Sequence, residues 1–364
     1  MRGRLRALRR FRRFRRFRRS GRSGASGASG ASGASGGFRR FRRFRRFRRF
    51  RRFRRFRRSP IAASVHGVFE GFSYESVMAE RGTINAVVGG EGPPLLLLHG
   101  FPETHLIWHA VAPALAERFT VVAVDLPGYG DSQPPEPAED HAPHSKRGMA
   151  RELVAAMAAL GHDRFALAGH DRGGRVGYRM ALDSPEVVTA LAVLDIVPTA
   201  EVWARADDRF AMLYWHWPFL AQPAPRPEEM LLAAPPETFF AHHFEMVRHG
   251  DPGYPIENVE DYMDRIANPT LVRGMCEDYR AGATIDRRLD EADRAAGRRI
   301  ACPLLVLWGS EGALPAFYDD VLGIWRDWAD DVRGGPIDAT HFIPEDRPAE
   351  TAAALREFFA AAGG

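Results

Sequence analysis

The chain is poor in cysteine, poorer still in lysine, and has no acidic residue in its first 60 positions. Two cysteines, Cys276 and Cys302, give neither a disulfide framework nor a C-x-x-C motif. That excludes a small disulfide-stapled domain and makes a reducing, cytoplasmic setting the expectation. Long apolar runs are missing too, the four leucines at 95–98 being representative. Crossing a bilayer takes about 20 apolar residues, so no spanning helix is expected. The basic N-terminus lacks the apolar stretch of a secretory signal, and none is expected. Lys146 is the one lysine, so arginine supplies nearly all the positive charge.

That charge is unevenly placed. Residues 1–60 hold 26 of the 51 basic residues and none of the 46 acidic ones. The other 304 residues carry 25 basic against 46 acidic side chains, a net −21, so the basic character belongs to the arm. The arm consists of F-R-R repeats on either side of a Gly-Ala-Ser run at 23–37. A phenylalanine at every third position turns ~300° per step on a helix, so the rings never build one face. Nor does the spacing fit strand alternation. Such a density of like charge predicts a disordered arm. One reading makes it a tether to nucleic acid or an anionic membrane, with arginine on phosphate and phenylalanine stacked or inserted. The preferred reading is an upstream extension from a misassigned translation start, or an arm with no evolved role, because the repeat carries no folding logic.

From about Phe69 the composition becomes that of a globular protein. Apolar stretches at 76–79, 84–88, 95–98, 121–125, 165–168, 188–194, 304–309 and 332–337 read as strands. Helical spacing appears at 146–160, from 176 to 183, and at 350–361. Strands alternating with helices predict a parallel sheet covered on both faces. Between 198 and 298 the pattern changes to segments rich in Trp, Phe and Met, broken by prolines at 222–227 and 234–236. That suits a helical cap inserted into the sheet domain. The expected division is an arm at 1–60, a first core part at 61–197, a cap at 198–298 and a second core part at 299–364.

The most informative stretch is F-A-L-A-G-H-D-R-G-G-R at 165–175. It is G-x-D-x-G between a strand and a helix, the shape of a nucleophile elbow with Asp171 where esterases place serine. The same pattern also fits a glycine-rich turn with a capping aspartate. A carboxylate attacks acyl groups poorly but displaces a leaving group from saturated carbon, giving an ester. The residue type therefore points to dehalogenation or epoxide opening.

With this stretch included, the chain carries seven motifs: H-G-F-P-E-T-H (99–105), D-L-P-G-Y-G-D-S (125–132), G-H-D-R-G-G-R (169–175), L-D-I-V-P-T (194–199), Y-W-H-W-P-F-L-A-Q-P (214–223), C-E-D-Y-R-A-G-A (276–283) and T-H-F-I-P-E-D (340–346). On these the chain, from about Phe69 to Ala361, resembles the fluoroacetate (haloacetate) dehalogenases of the α/β-hydrolase superfamily. The resemblance implies an α/β-hydrolase fold, a mostly parallel eight-stranded sheet with an inserted helical cap. It implies hydrolysis of a short 2-haloacid through an aspartyl ester, with fluoroacetate to glycolate as the family reaction.

Residue by residue, Asp171 matches the nucleophile, His341 the general base and Asp195 the acid that orients it. Glu311, near the end of the 304–309 strand, is the fallback acid. Thr340 stands where the family usually has glycine. Arg172 and Arg175 match the clamp for the substrate carboxylate, and forked guanidiniums suit that group. His216, Trp217 and Tyr279 match the cradle for the departing halide. The backbone N–H groups of Phe101 and Arg172 match the oxyanion hole. The resemblance implies no metal and no organic cofactor, and a homodimer.

The histidine pairs His105/His109 and His242/His243 lack a third ligand at recognisable spacing, so a metal site is not expected at either. His99 and His170 are expected to hold loops. The runner-up reading is an epoxide hydrolase on the same scaffold, for which Tyr214 and Tyr279 are the candidate tyrosines. A non-catalytic protein tethered by its basic arm is the alternative of a different class.

Overall fold

In the computed structural model, described over residues 69–236, 238–239 and 256–362, eight strands form one sheet in the order β1-β2-β4-β3-β5-β6-β7-β8. The strands are β1 (Ser73–Met78), β2 (Thr83–Gly89), β3 (Pro94–Leu98), β4 (Thr120–Val124), β5 (Phe165–His170), β6 (Val188–Leu194), β7 (Leu304–Gly309) and β8 (Val332–Ile337). β2 runs antiparallel to both β1 and β4, and every other pairing is parallel. The four leucines of β3 are fully buried, as both faces of a central parallel strand are covered by helices. That continuous burial is why β3, β6 and β7 were legible as unbroken apolar runs.

Two element starts differ from the sequence reading by more than two residues. β1 begins at Ser73, not 76, because its first half is a mostly exposed edge that an apolar pattern does not mark. The helix after the elbow, expected from Val176, starts at Arg172, directly behind the nucleophile. Gly173 and Gly174 looked like turn residues, yet they form its first turn. A Cβ on Gly173 would lie 2.5 Å from the carbonyl oxygens of Leu98 and His99. Glycine here permits close packing of helix on strand.

The helices that bear on the site are α1 (Lys146–Ala159), capped by Ser145 accepting from the Gly148 N–H at 3.0 Å, and α2 (Arg172–Asp183). Between β6 and β7 the described residues hold helices and no extended strand: α3 (Thr199–Ala204), α4 (Asp208–Leu213), α5 (His216–Leu220), α6 (Arg226–Ala233), α7 (Ile256–Ile266), α8 (Pro269–Ala281) and α9 (Arg287–Ala295). A π-helical turn, Gly282–Asp286, joins α8 to α9. Trp203, Phe210, Tyr214 and Trp217 pack ring against ring there. The chain ends in α10 (Ile343–Asp346) and α11 (Pro348–Ala362). No described helix is long and apolar enough to cross a membrane. The arm at 1–60 and the His242/His243 pair lie outside the described residues.

Candidate active site

β5 delivers Asp171 to the carboxyl edge of the sheet, where ligands of open α/β sheets collect. The residue sits at φ 39°, ψ −111°, a conformation an L-residue tolerates only when its surroundings hold it. Those surroundings are hydrogen bonds from Asp171 N to Leu194 O at 3.1 Å and from Gly173 N to His99 O at 2.8 Å. The residue is 7% exposed. Oδ2 accepts from the Phe101 N–H at 3.1 Å, and Oδ1 lies 3.8 Å from Arg175 Nε. Burial opposes ionisation, but His341, Arg172, Arg175 and His170 outweigh it and hold the carboxyl well below the usual range. The carboxylate is therefore ready as an anion.

His341 lies after β8, with its Nδ1 2.5 Å from Asp195 Oδ2. Asp195 follows β6 at φ 54°, and its Oδ1 accepts from the Gly309 N–H at 3.0 Å. With Nδ1–H donated to Asp195, Nε2 is left as the basic nitrogen. Glu311 is exposed, with its N–H donated to Ala339 O at 3.0 Å. Asp195, not Glu311, meets the histidine. Thr340 anchors the loop through Oγ1 and N–H bonds to Asp346 Oδ2 at 2.5 and 2.8 Å.

The two arginines are held differently. Arg175 Nη1 donates to Val197 O at 3.0 Å and Thr199 Oγ1 at 3.3 Å, and its guanidinium stacks over Trp217 at 4.7 Å. Among the described residues its buried Nε has no hydrogen-bond acceptor. Arg172 places Nε and Nη2 on the two oxygens of Asp278, both at 2.8 Å, and lies 4.2 Å above the Tyr279 ring. From the cap, His216, Trp217 and Tyr279 converge with Phe101: His216 stacks on Phe101, and its ring centre is 5.9 Å from that of Tyr279. Tyr279 also meets Trp217 at 6.0 Å and Phe101 at 5.2 Å.

Reasoning from sequence missed several partners. His170, expected only to hold a loop, donates from Nε2 to His341 O at 2.8 Å and pairs through Nδ1 with Glu103 at 3.0 Å. Burial disfavours its charge, but Glu103, Asp171 and the His341 carbonyl raise it to about 9. Next to it, burial and Glu103 push Glu345 well above the carboxylate range, with Asn258 and Tyr262 donating to its Oε1. Glu103 was visible inside H-G-F-P-E, and Asp278 inside E-D-Y-R-A. Their partners, however, are 67 and 106 residues away in sequence, which no local pattern reports.

His99 spans the loops as expected, donating Nδ1–H to Gly100 O at 2.7 Å and accepting from Leu126 N at 2.9 Å. His105 is taken by Asp125 at 2.9 Å and His109 by Leu106 O at 2.9 Å. Among the described residues no cluster of three or more candidate ligands stands ready for a metal. A cavity of 920 Å³, lined by Pro94, Phe165 and Thr189 among others, opens at the opposite end of the strands. It contains none of these chemical groups.

Comparison with known proteins adds lineage to this geometry. Residues 93–348 match the family model described as alpha/beta hydrolase fold. A fluoroacetate dehalogenase of Burkholderia sp is 46% identical over 292 residues, 80% of this chain and 95% of that protein. A soluble epoxide hydrolase of Corynebacterium sp. (strain C12) is 30% identical over 79% of this chain and 97% of its own. Among solved structures, a protein from Nostoc sp PCC 7120 assigned to the α/β hydrolases superposes with a TM-score of 0.77. It is 44% identical, over 80% of this chain and 99% of that one.

Proposed function

The chain belongs to the α/β-hydrolase family and, within it, to the haloacetate dehalogenases, and from that premise we propose hydrolytic removal of halide from a short 2-haloacid through an ester on Asp171. The observation that carries the substrate class is Arg175 Nε, buried without an acceptor 3.8 Å from Asp171 Oδ1. A buried guanidinium N–H beside the nucleophile, with no hydrogen-bond acceptor among the described residues, calls for an anionic ligand oxygen. Arg172 Nη1, without a hydrogen bond among the described residues, is a second donor for the same carboxylate.

With the acid so held, Oδ1 attacks the halogen-bearing carbon from behind. The O–C bond forms as the C–halogen bond breaks, and the halide leaves toward His216, Trp217 and Tyr279. His341 Nε2 then takes a proton from water, whose oxygen adds to the ester carbon of Asp171. The negative charge develops on Oδ2, already facing the Phe101 N–H. Collapse releases the hydroxy acid, its new hydroxyl protonated by His341, and restores the carboxylate. Asp195 stabilises the imidazolium between the two proton transfers.

Halide release from fluoroacetate, chloroacetate and a neutral haloalkane, followed by ion electrode, tests this reading. Asp171→Asn is expected to release no halide, and His341→Gln to release one equivalent per site and stop. Full turnover by Asp171→Asn contradicts covalent catalysis by this residue. Diol formation from a simple epoxide, with both haloacids inert, favours the epoxide-hydrolase reading and the use of Tyr214 and Tyr279 as proton donors.

A further inference from the structure

Asp278 is fully buried on α8 of the cap, yet it is held from three places in the core. Its Oδ2 accepts from Arg172 Nε at 2.8 Å and from the Tyr129 hydroxyl at 2.7 Å. Its Oδ1 accepts from Arg172 Nη2 at 2.8 Å and from Lys146 Nζ. Four donors saturate a carboxylate, whose oxygens offer about four acceptor sites. Lys146, the chain's one lysine, is 1% exposed and reaches Asp286 Oδ2 with the same ammonium at 3.2 Å. The main chain at Gly282 completes the arrangement, because a Cβ there would sit 3.2 Å from Arg172 Nη2 and press on the fork.

This geometry fixes what Arg172 presents to a ligand. One edge of the guanidinium is committed to Asp278 and one face to Tyr279, which leaves Nη1. Lys146 is shared between Asp278 and Asp286, so Arg172 and Lys146 together balance the two carboxylates. The hydroxyl of Tyr129 adds a donor without adding charge.

We propose that Asp278, supported by Lys146 and Tyr129, is a positioning residue that locks Arg172 with Nη1 toward the substrate carboxylate. The inference rests on the haloacid reading above. A buried, saturated carboxylate keeps the fork from rotating, so binding the acid costs little side-chain ordering. Loss of that lock weakens carboxylate binding while leaving Asp171, His341 and the halide cradle in place.

The test is steady-state chloroacetate kinetics on the full chain, with acetate as a competitive inhibitor that has the carboxylate and no leaving group. Asp278→Asn is expected to raise KM and the acetate inhibition constant together by about tenfold, with kcat within about threefold of wild type. Tyr129→Phe keeps the ring and the volume, and is expected to raise both constants by about threefold. A fall in kcat with KM and acetate inhibition unchanged, in either variant, overturns the inference, because it marks a general structural role. If Asp278→Asn does not fold, Tyr129→Phe decides alone: unchanged acetate inhibition sinks the positioning role. Wild-type protein inert on chloroacetate removes the haloacid reading itself, and this inference with it. Wild-type activity with unaltered acetate inhibition in the variants removes only the inference.

Discussion

Asp171 and His170 are neighbours with opposite charge, and each sustains the other. The carboxylate is kept ionised by His341, the two arginines and His170, while His170 stays protonated through Glu103 and Asp171. The pairing has a consequence for stability. An unfolded histidine titrates near ~6.5, and the folded His170 is raised to about 9. Its contribution is therefore complete below the unfolded value and is lost as pH climbs through the folded one. Urea unfolding at fixed ionic strength is expected to show falling stability between about pH 6.5 and pH 9. His170→Gln is expected to flatten that fall. A variant with the same slope as wild type would assign the pH dependence to other groups.

At the level of elements, legibility followed burial. β6 and β7 were readable to the residue, because a strand inside a parallel sheet carries an uninterrupted apolar signal. β1 was cut short because half of it faces solvent, and α2 was started late because two glycines needed for packing mimic a turn. For the candidate site, residues inside short motifs were legible, and the structure brings Asp171, His341, Asp195, Arg172, Arg175, His216, Trp217 and Tyr279 together. The lock on Arg172 was not legible, since Lys146 and Tyr129 join Asp278 across 132 and 149 residues.

The cap helices make their own prediction. Trp217 on α5 both stacks on Arg175 and is the indole N–H of the proposed halide cradle. Fluoride concentrates leaving-group charge more than chloride, so donors matter more for it. Trp217→Phe is expected to lower kcat for fluoroacetate by about 10²-fold, and for chloroacetate by much less. Equal losses measured by ion electrode would speak for packing in place of halide stabilisation.

Across the whole molecule, charge and chemistry are separated along the chain. The body is net −21, while the first 60 residues bring 26 arginines and no acid. The proposed catalytic groups all belong to the described part, between Phe101 and His341. Deleting residues 1–60 is therefore expected to leave kcat/KM for halide release within about twofold of the full chain. A large loss would give the arm a part in the reaction. Binding to nucleic acid or anionic vesicles that weakens with salt and vanishes on deletion would instead support the tether reading.

The central claim is that the substrate carbon is bonded to Asp171 before water acts. One turnover of chloroacetate in heavy-oxygen water, with enzyme in excess, tests it most directly. The account predicts label in the Asp171 peptide and none in the first glycolate released, since the product hydroxyl comes from Oδ1. Label appearing in that glycolate, with Asp171 unlabelled, would mean that water attacks the halogen-bearing carbon itself, and would contradict the account.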